Sequence, residues 1–213
     1  RVTSSEKMVP TRRLELPRVA PLAPQASVST NSTMSARGEC DTIADMTTQG
    51  QRTYFSPATP YPMVVAAQEA WVSQLLAGIG AETFFWGEHA ACYTAGTSAQ
   101  PAEHLGLYPE IPVYASGRGG KYTYHGPGQR VIYPILDLRP RGQDLRQYIR
   151  QLQTAVQLTL RAYGVESVLT DDIGVWVNTP AGLAKIAAIG VRVRRWVTFH
   201  GVAINVCPNL DHF

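Results

Sequence analysis

The sequence predicts an α/β (α+β) domain. Two stretches carry apolar residues at helical spacing, residues 61–80 and 144–163, and they are set among short runs rich in β-branched and aromatic residues that read as strands. Between the two helical stretches lies a glycine-dense segment, residues 117–129, with five glycines and one proline in thirteen positions. At 213 residues and 45% hydrophobic content the chain can bury a sizeable core, and one domain is the default below about 250 residues.

In chain order, residues 1–52 form an extension rich in Pro, Ser, Thr and Arg with no period of 2 or 3.6. Such a segment buries too little apolar surface to offset its ordering entropy, so disorder is predicted, with the folded domain over 53–213. Arg12, Arg13 and Arg18 fit a transit peptide, whereas Glu6, Glu15, Glu39, Asp41 and Asp45 do not; a start at Met34 or Met46 is the other reading. Val64, Val65, Trp71, Val72, Leu75, Leu76 and Ile79 define a helix over 61–80, stopped by Gly78 and Gly80. Ala81–Gly87 reads as a buried strand, and Ala90–Gly96 as a further strand in which Cys92 is a small buried hydrophobe. His89, between them, is open to two readings, a surface-loop residue or a site residue. A connecting loop over 97–116 ends in a short strand, Val113–Ala115, and Arg130–Leu138 is a core strand.

The second helix, 144–163, has Asp144 as N-cap and Gly164 at C′. Val165–Leu169 and Gly174–Asn178 read as strands, and Asp171-Asp172 between them as a polar turn rather than an acid/base pair, because strand neighbours point to opposite faces. Gly182–Val193 makes a turn and a strand in which Lys185 is the lone charge for several residues. Such a lysine is either buried, with a depressed pKa or an anionic partner, or a solvated amine at the strand mouth. Val197–Val206 is a last strand, broken by Gly201.

A net charge of +3 with no long basic run excludes a nucleic-acid groove; the densest cluster, Arg192, Arg194 and Arg195, fits a solvated sheet edge or an acidic partner. No apolar run approaches the ~18 residues of a membrane span, and no signal peptide is read at the start. Cys40, Cys92 and Cys207 are too few and scattered for a disulfide framework or a zinc site, so a reducing compartment and no metal are expected.

The glycine-dense segment reads Arg118-Gly119-Gly120-Lys121-Tyr122-Thr123-Tyr124-His125-Gly126-Pro127-Gly128-Gln129. It lacks the Lys-Ser/Thr ending of a P-loop and the strand-loop-helix context of a dinucleotide site. A strand over Tyr122–His125 would put Thr123 and His125 on one face, pointing into one site, with Tyr122 and Tyr124 on the other. A plain hairpin with a glycine-rich turn is the rival reading.

Followed by Tyr133-Pro134-Ile135-Leu136-Asp137-Leu138, that string resembles the signature of the lipoyl(octanoyl) transferases, the LipB family. Three more motifs agree: Glu88-His89 with Tyr93-Thr94 and Gly96, Lys185-Ile186 with Ile189-Gly190, and Thr198, His200-Gly201, Ala203 and Asn205-Val206. The resemblance covers about residues 60–213. It implies a mixed sheet flanked by helices, similar to the biotin and lipoate protein ligase catalytic domain, with an acyl tunnel beside the sheet. It also implies a two-step acyl transfer, from octanoyl-acyl carrier protein to a cysteine thiolate, then to the lysine of a lipoyl domain. Lys185 matches the family's lysine that lowers the thiol pKa. Arg118, Gly119, Gly120, Lys121, Tyr122, Thr123, Tyr124, His125, Ala188, Ile189, Gly190, Gly201, Val202, Ala203 and His89 match substrate-binding positions. The implied partners are octanoyl-acyl carrier protein, lipoyl domains of 2-oxoacid dehydrogenase complexes and the glycine cleavage H protein. Neither nucleic acid, membrane, metal nor cofactor is implied, and a monomer is expected, in the bacterial cytoplasm or, if the source is eukaryotic, the mitochondrial matrix.

The sequence departs from the family at one place. The nucleophile there lies in a Pro-Cys-Gly turn after an Asp-Leu-x-x-Phe segment, matched here by Asn209-Leu210-Asp211-His212-Phe213, and the chain stops before that turn. Cys207 does not match the nucleophile position. A C-terminally incomplete transferase is expected; the rivals are a non-catalytic acyl-binding remnant and an ATP-dependent lipoate or biotin ligase.

Overall fold

The computed structural model describes residues 51–100, 102–103 and 108–213. The disorder expected of the N-terminal extension lies outside the described residues, except that β1 begins at Gln51, inside the stretch assigned to it. Nine strands and two α-helices follow among the described residues: β1 (Gln51–Phe55), α1 (Tyr61–Leu76), β2 (Thr83–Gly87), β3 (Cys92–Ala95), β4 (Val113–Ala115), β5 (Tyr122–His125), β6 (Gln129–Ile135), α2 (Leu145–Ala162), β7 (Val175–Thr179), β8 (Gly182–Arg194) and β9 (Val197–Asn205). Six strands form one mixed sheet in the order β1-β2-β6-β9-β8-β7, parallel only between β1 and β2. A second sheet, β4-β3-β5, has three strands.

The helices flank the large sheet. Alternation along β9 sends Ala203 into a core with Val64, Val72 and Phe85 under α1, and Val202 and Ile204 into a core with Val156 and Leu160 under α2. Asp144 caps α2 by accepting from the Gln147 N–H at 2.9 Å, and Gly164 follows the helix at φ +74, where a side chain would be strained.

Four sequence expectations need correction. The first helix ends at Leu76 rather than Gly80, with Ala77 as C-cap and Gly78 at φ +74. The second strand is half buried, not buried: Thr83, Phe85 and Gly87 face α1, while Phe84 and Trp86 stand exposed on the other face. Val165–Leu169 makes only one bridge, Val168 to Trp176, because α2 ends directly before it and the chain turns away again at 171. Finally, β9 runs unbroken through Gly201; the irregular residue is His200, at φ +56.

That irregularity parts two central strands. β9 pairs with β6 only from Val202 to Asn205. Ahead of it, Pro134 brings no N–H to the ladder, and the Thr198 hydroxyl fills in, donating to the Pro134 carbonyl (2.8 Å) and accepting from the Leu136 N–H (3.0 Å). The His200 N–H is turned to α1, where buried Gln68 accepts it at 2.9 Å.

Candidate functional site

The parted strands and the small sheet enclose one cavity of about 40 Å3, lined by Tyr61, Arg118, Thr123, His125, Val131, Tyr133, the 188–190 segment of β8 and residues 200–203 of β9. The strand alternation expected for Tyr122–His125 is met: Thr123 and His125 line the cavity, and Tyr124 packs away from it against Tyr93, His212 and Phe213.

Arg118 dominates the electrostatics. Its guanidinium is buried and donates to Thr94 Oγ1 (3.2 and 2.8 Å) and to the carbonyls of Thr94 (2.6 Å), Gly119 (2.9 Å) and Lys121 (2.9 Å), all neutral acceptors. None of the ion pairs among the described residues involves it. Two glycines make room around it: a Cβ at Gly190 would lie 2.9 Å from Arg118 Cδ, and one at Gly96 would run into the Gly120 carbonyl first and then lie 2.9 Å from Arg118 Nη1. The loop itself is pinned to β8 by Gly119 N–H donating to the Val191 carbonyl at 3.1 Å.

Three imidazoles gather around the cavity and are held neutral. Burial, and then the Arg118 charge, bring His125 down to about 4, although its contact with Gln129 works the other way. Burial followed by Arg118, Arg192 and His125 brings His200 down to about 4. Burial and then His125 bring His89 to about 3. His89 stands one layer behind the wall: Nε2 meets the Tyr133 hydroxyl at 2.8 Å, and its ring lies 5.6 Å from that of His125. Burial likewise pushes the Tyr133 phenol well above its ordinary value.

The turn joining β5 to β6 is tight. Gly126 accepts from the Gln129 N–H at 3.1 Å across Pro127-Gly128, with Gly128 at φ +83, and Glu88 accepts from the Gly128 N–H at 2.9 Å. A side chain at Gly128 would also meet the Cys207 carbonyl at 2.5 Å.

The structure brings most, not all, of the sequence-singled residues together. Arg118, Thr123, His125, Ala188, Ile189, Gly190, Gly201, Val202 and Ala203 line the cavity. Gly119 and Gly120 shape the loop, while Lys121 is exposed and pairs with Glu103 at 2.7 Å. Lys185 is exposed on β8 beside a bulge, its stem against Gly174 and its Nζ 4.6 Å above the Trp176 ring, away from the cavity wall. Cys92 is buried, and burial pushes its thiol up to about 12. Cys207 is exposed. The sequence reading names none of Tyr61, Val131, Tyr133 and Gln129 as a site residue, although Gln129 and Tyr133 stand in the quoted signature. Val131, Tyr133 and Gln129 share one face of β6 by simple alternation, a signal open to the sequence; Tyr61 opens α1, where the helical pattern marks only scaffold.

The sequence profile of the lipoyl protein ligase A/B catalytic domain matches residues 60–213, the whole of this cavity included. The chain belongs to that family. Within the lipoyl protein ligase A/B family, a protein of Bradyrhizobium diazoefficiens named octanoyltransferase is 48% identical over 159 residues, 72% of this chain and 63% of the relative. Another of that name, from Paramagnetospirillum magneticum, is 49% identical over 155 residues, 72% of this chain and 73% of the relative. The chain thus spans about two thirds of the length of these relatives. Among solved structures, the bipartite lipoate protein ligase from Thermoplasma acidophilum aligns with a TM-score of 0.58 at 19% identity, covering 76% of this chain and 64% of that one. Lipoate-protein ligase A bound with ATP aligns at 0.56 and 19%, covering 76% and 69%. These likenesses fix the fold, a mixed sheet flanked by helices.

Proposed function

We propose that this domain is the acyl-binding part of an octanoyltransferase. The observation that carries the reading is the 48–49% identity to relatives of that name over 72% of this chain, beside a family profile that spans every cavity-lining residue. In the first step a cysteine thiolate attacks the thioester carbonyl of octanoyl-acyl carrier protein, and the carrier thiolate leaves. In the second, the lysine amine of a lipoyl domain attacks the acyl-enzyme, the amide forms, the amine loses a proton and the cysteine thiolate is released. Arg118, Thr123, His125, Ala188–Gly190 and Gly201–Ala203 hold the acyl group, with the rest of the Gly119–Tyr124 loop shaping the wall and His89 supporting it from behind. Backbone N–H groups of the glycine loop stabilise the tetrahedral oxyanion. Lys185 lowers the thiol pKa, and the thiol belongs to the Pro-Cys-Gly turn that follows Asp-Leu-x-x-Phe in the family. The cavity, about 40 Å3, is small beside the roughly 300–1,000 Å3 of ligand pockets, so the acyl tail must part its walls to enter. Lipoyl domains of 2-oxoacid dehydrogenase complexes and the glycine cleavage H protein are the acceptors, and the working form is a monomer, in the bacterial cytoplasm or, for a eukaryotic source, the mitochondrial matrix.

Intact-mass spectrometry after incubation with octanoyl-acyl carrier protein tests this, on the present chain and on one extended through the Pro-Cys-Gly turn. An octanoyl adduct on the extended chain alone supports the reading. An adduct on the short chain lost in Cys207→Ser moves the nucleophile to Cys207, and no adduct on either chain overturns the transferase assignment.

A further inference from the structure

The cavity is tied to Lys185 by side chains that cross both sheets. Thr94 Oγ1 lies 3.3 Å from His125 Nε2, His125 Nδ1 lies 2.6 Å from Gln129 Oε1, Gln129 Nε2 donates to the Tyr124 carbonyl (3.2 Å) and to Asn205 Oδ1 (2.9 Å), and Asn205 Nδ2 donates to the Lys185 carbonyl (3.4 Å). Only one assignment of protons satisfies every member. The lone pairs of Thr94 Oγ1 face the guanidinium N–H groups of Arg118, so its own hydrogen goes to His125 Nε2. Gln129 has its amide nitrogen committed to two carbonyl oxygens, so Oε1 is the acceptor and His125 Nδ1 carries the proton. Donation therefore runs one way, from Arg118 through Thr94, His125, Gln129 and Asn205 to the Lys185 backbone.

Position makes Gln129 the joint of this chain. It starts β6 directly after the turn from β5, and Gln129 with Asn205 is the last pair between β6 and β9. The β8–β9 ladder stops at Ala187 with Ile204, and the Asn205 amide continues it by side chain to Lys185, at the bulge against β7. Gln129 is 1% exposed, so a broken bond there is not replaced by solvent.

The geometry points to Gln129 as a positioning residue that fixes the Nδ1–H tautomer of His125 at the cavity wall and couples the wall to the strand end bearing Lys185. Its bearing on catalysis rests on the octanoyltransferase reading; its effect on His125 does not. The ring of His125 is also faced by Tyr61 at 6.3 Å and His89 at 5.6 Å, by Arg118 and His200, and by Cys92 across β3–β5. No carboxylate is among these groups.

The test is 15N NMR of the imidazole nitrogens in the full, uniformly labelled chain, with no acyl substrate present. At neutral pH His125 is expected to show a protonated Nδ1 and a bare Nε2, the reverse of the preference of a free histidine side chain. Gln129→Glu keeps the acceptor, adds a charge and removes both donated bonds, and is expected to raise the His125 titration midpoint by about one unit or more. A wild-type His125 protonated at Nε2 overturns the proposal, whether or not the variant folds; so does a folded Gln129→Glu whose midpoint is unmoved. Octanoylation of the extended chain alongside an Nε2–H His125 sinks this inference and leaves the transferase standing. An Nδ1–H His125 without octanoylation does the opposite.

Discussion

Acidification from pH 7 to pH 5 is predicted to remove about 5 kcal/mol of this domain's folding stability through His89, His125 and His200. Their folded values are held at about 3, 4 and 4, above all by burial, with the Arg118 charge adding at His125 and His200, whereas each returns to about 6.5 in the unfolded chain. At pH 7 neither state is substantially protonated at these rings. As pH falls through 6.5 the unfolded chain takes up protons that the folded chain refuses until about pH 4, so stability falls with pH across that window. Near pH 5 the difference approaches three protons, a slope of about 4 kcal/mol per pH unit, and the integral from pH 7 to 5 is about 5 kcal/mol. That is comparable to the whole stability of a small domain, roughly 5–15 kcal/mol. Asp137, held down by its hydrogen bonds to Arg139, and Glu103, held down by the Gln100 N–H and Lys121, release their contributions at lower pH and do not mask the effect. Urea unfolding at pH 7, 6 and 5, followed by tryptophan fluorescence, reads the slope. His200→Gln is expected to reduce it by about 1.4 kcal/mol per pH unit, one ring's share. Stability at pH 5 within about 1 kcal/mol of that at pH 7 would refute the claim that the three rings fold as neutral, desolvated groups.

Gly201→Ala should cost about 1–3 kcal/mol by overpacking, because the new Cβ would meet the Ile132 carbonyl oxygen at 2.4 Å and Pro134 Cδ at 2.6 Å, both fixed in β6; a fall in the urea midpoint checks it. Asp144→Ala removes the acceptor for the Gln147 N–H and is expected to cost about 1 kcal/mol, read in the same way. In the chain extended through the Pro-Cys-Gly turn, Lys185→Met should slow acyl-enzyme formation about ten-fold at pH 7 and recover most of the rate near pH 9, where an ordinary thiol ionises unaided. A rate that stays low at high pH would show that Lys185 acts otherwise than on the thiol.

The parts of the fold legible in the sequence are those fixed by neighbours along the chain. The α2 stripe with Asp144 before it and Gly164 after it, the short strand Val113–Ala115 and the strand Tyr122–His125 each follow from local period and turn chemistry. The separation into two sheets is not local: β5 leads into β6 through a four-residue turn, the usual mark of a hairpin, yet β5 pairs with β3 and β6 with β2 and β9. The φ of His200 is equally silent in sequence, since histidine in an apolar strand gives no hint that its N–H is turned to Gln68 on another element.

The cavity's chemistry was half legible for the same reason. Glycines at 96 and 190 stand far apart in sequence and announce close approach without saying of what; the structure supplies the Gly120 carbonyl and Arg118 at Gly96, and Arg118 at Gly190. A guanidinium enclosed by carbonyls and a hydroxyl, with no carboxylate, leaves its charge uncancelled in a region of low dielectric. Such a charge costs several kcal/mol to bury, and a fold selected for stability alone would neutralise it or replace it by an apolar side chain. What the retained charge provides is a wall that disfavours protons on His125 and His200 and favours negative charge developing on a reacting carbonyl oxygen beside it. The Arg118 charge adds to the burial that keeps His125 and His200 neutral, so Arg118→Met is expected to ease part of the acid lability and, in the proposed acyl transfer, to weaken stabilisation of the tetrahedral oxyanion.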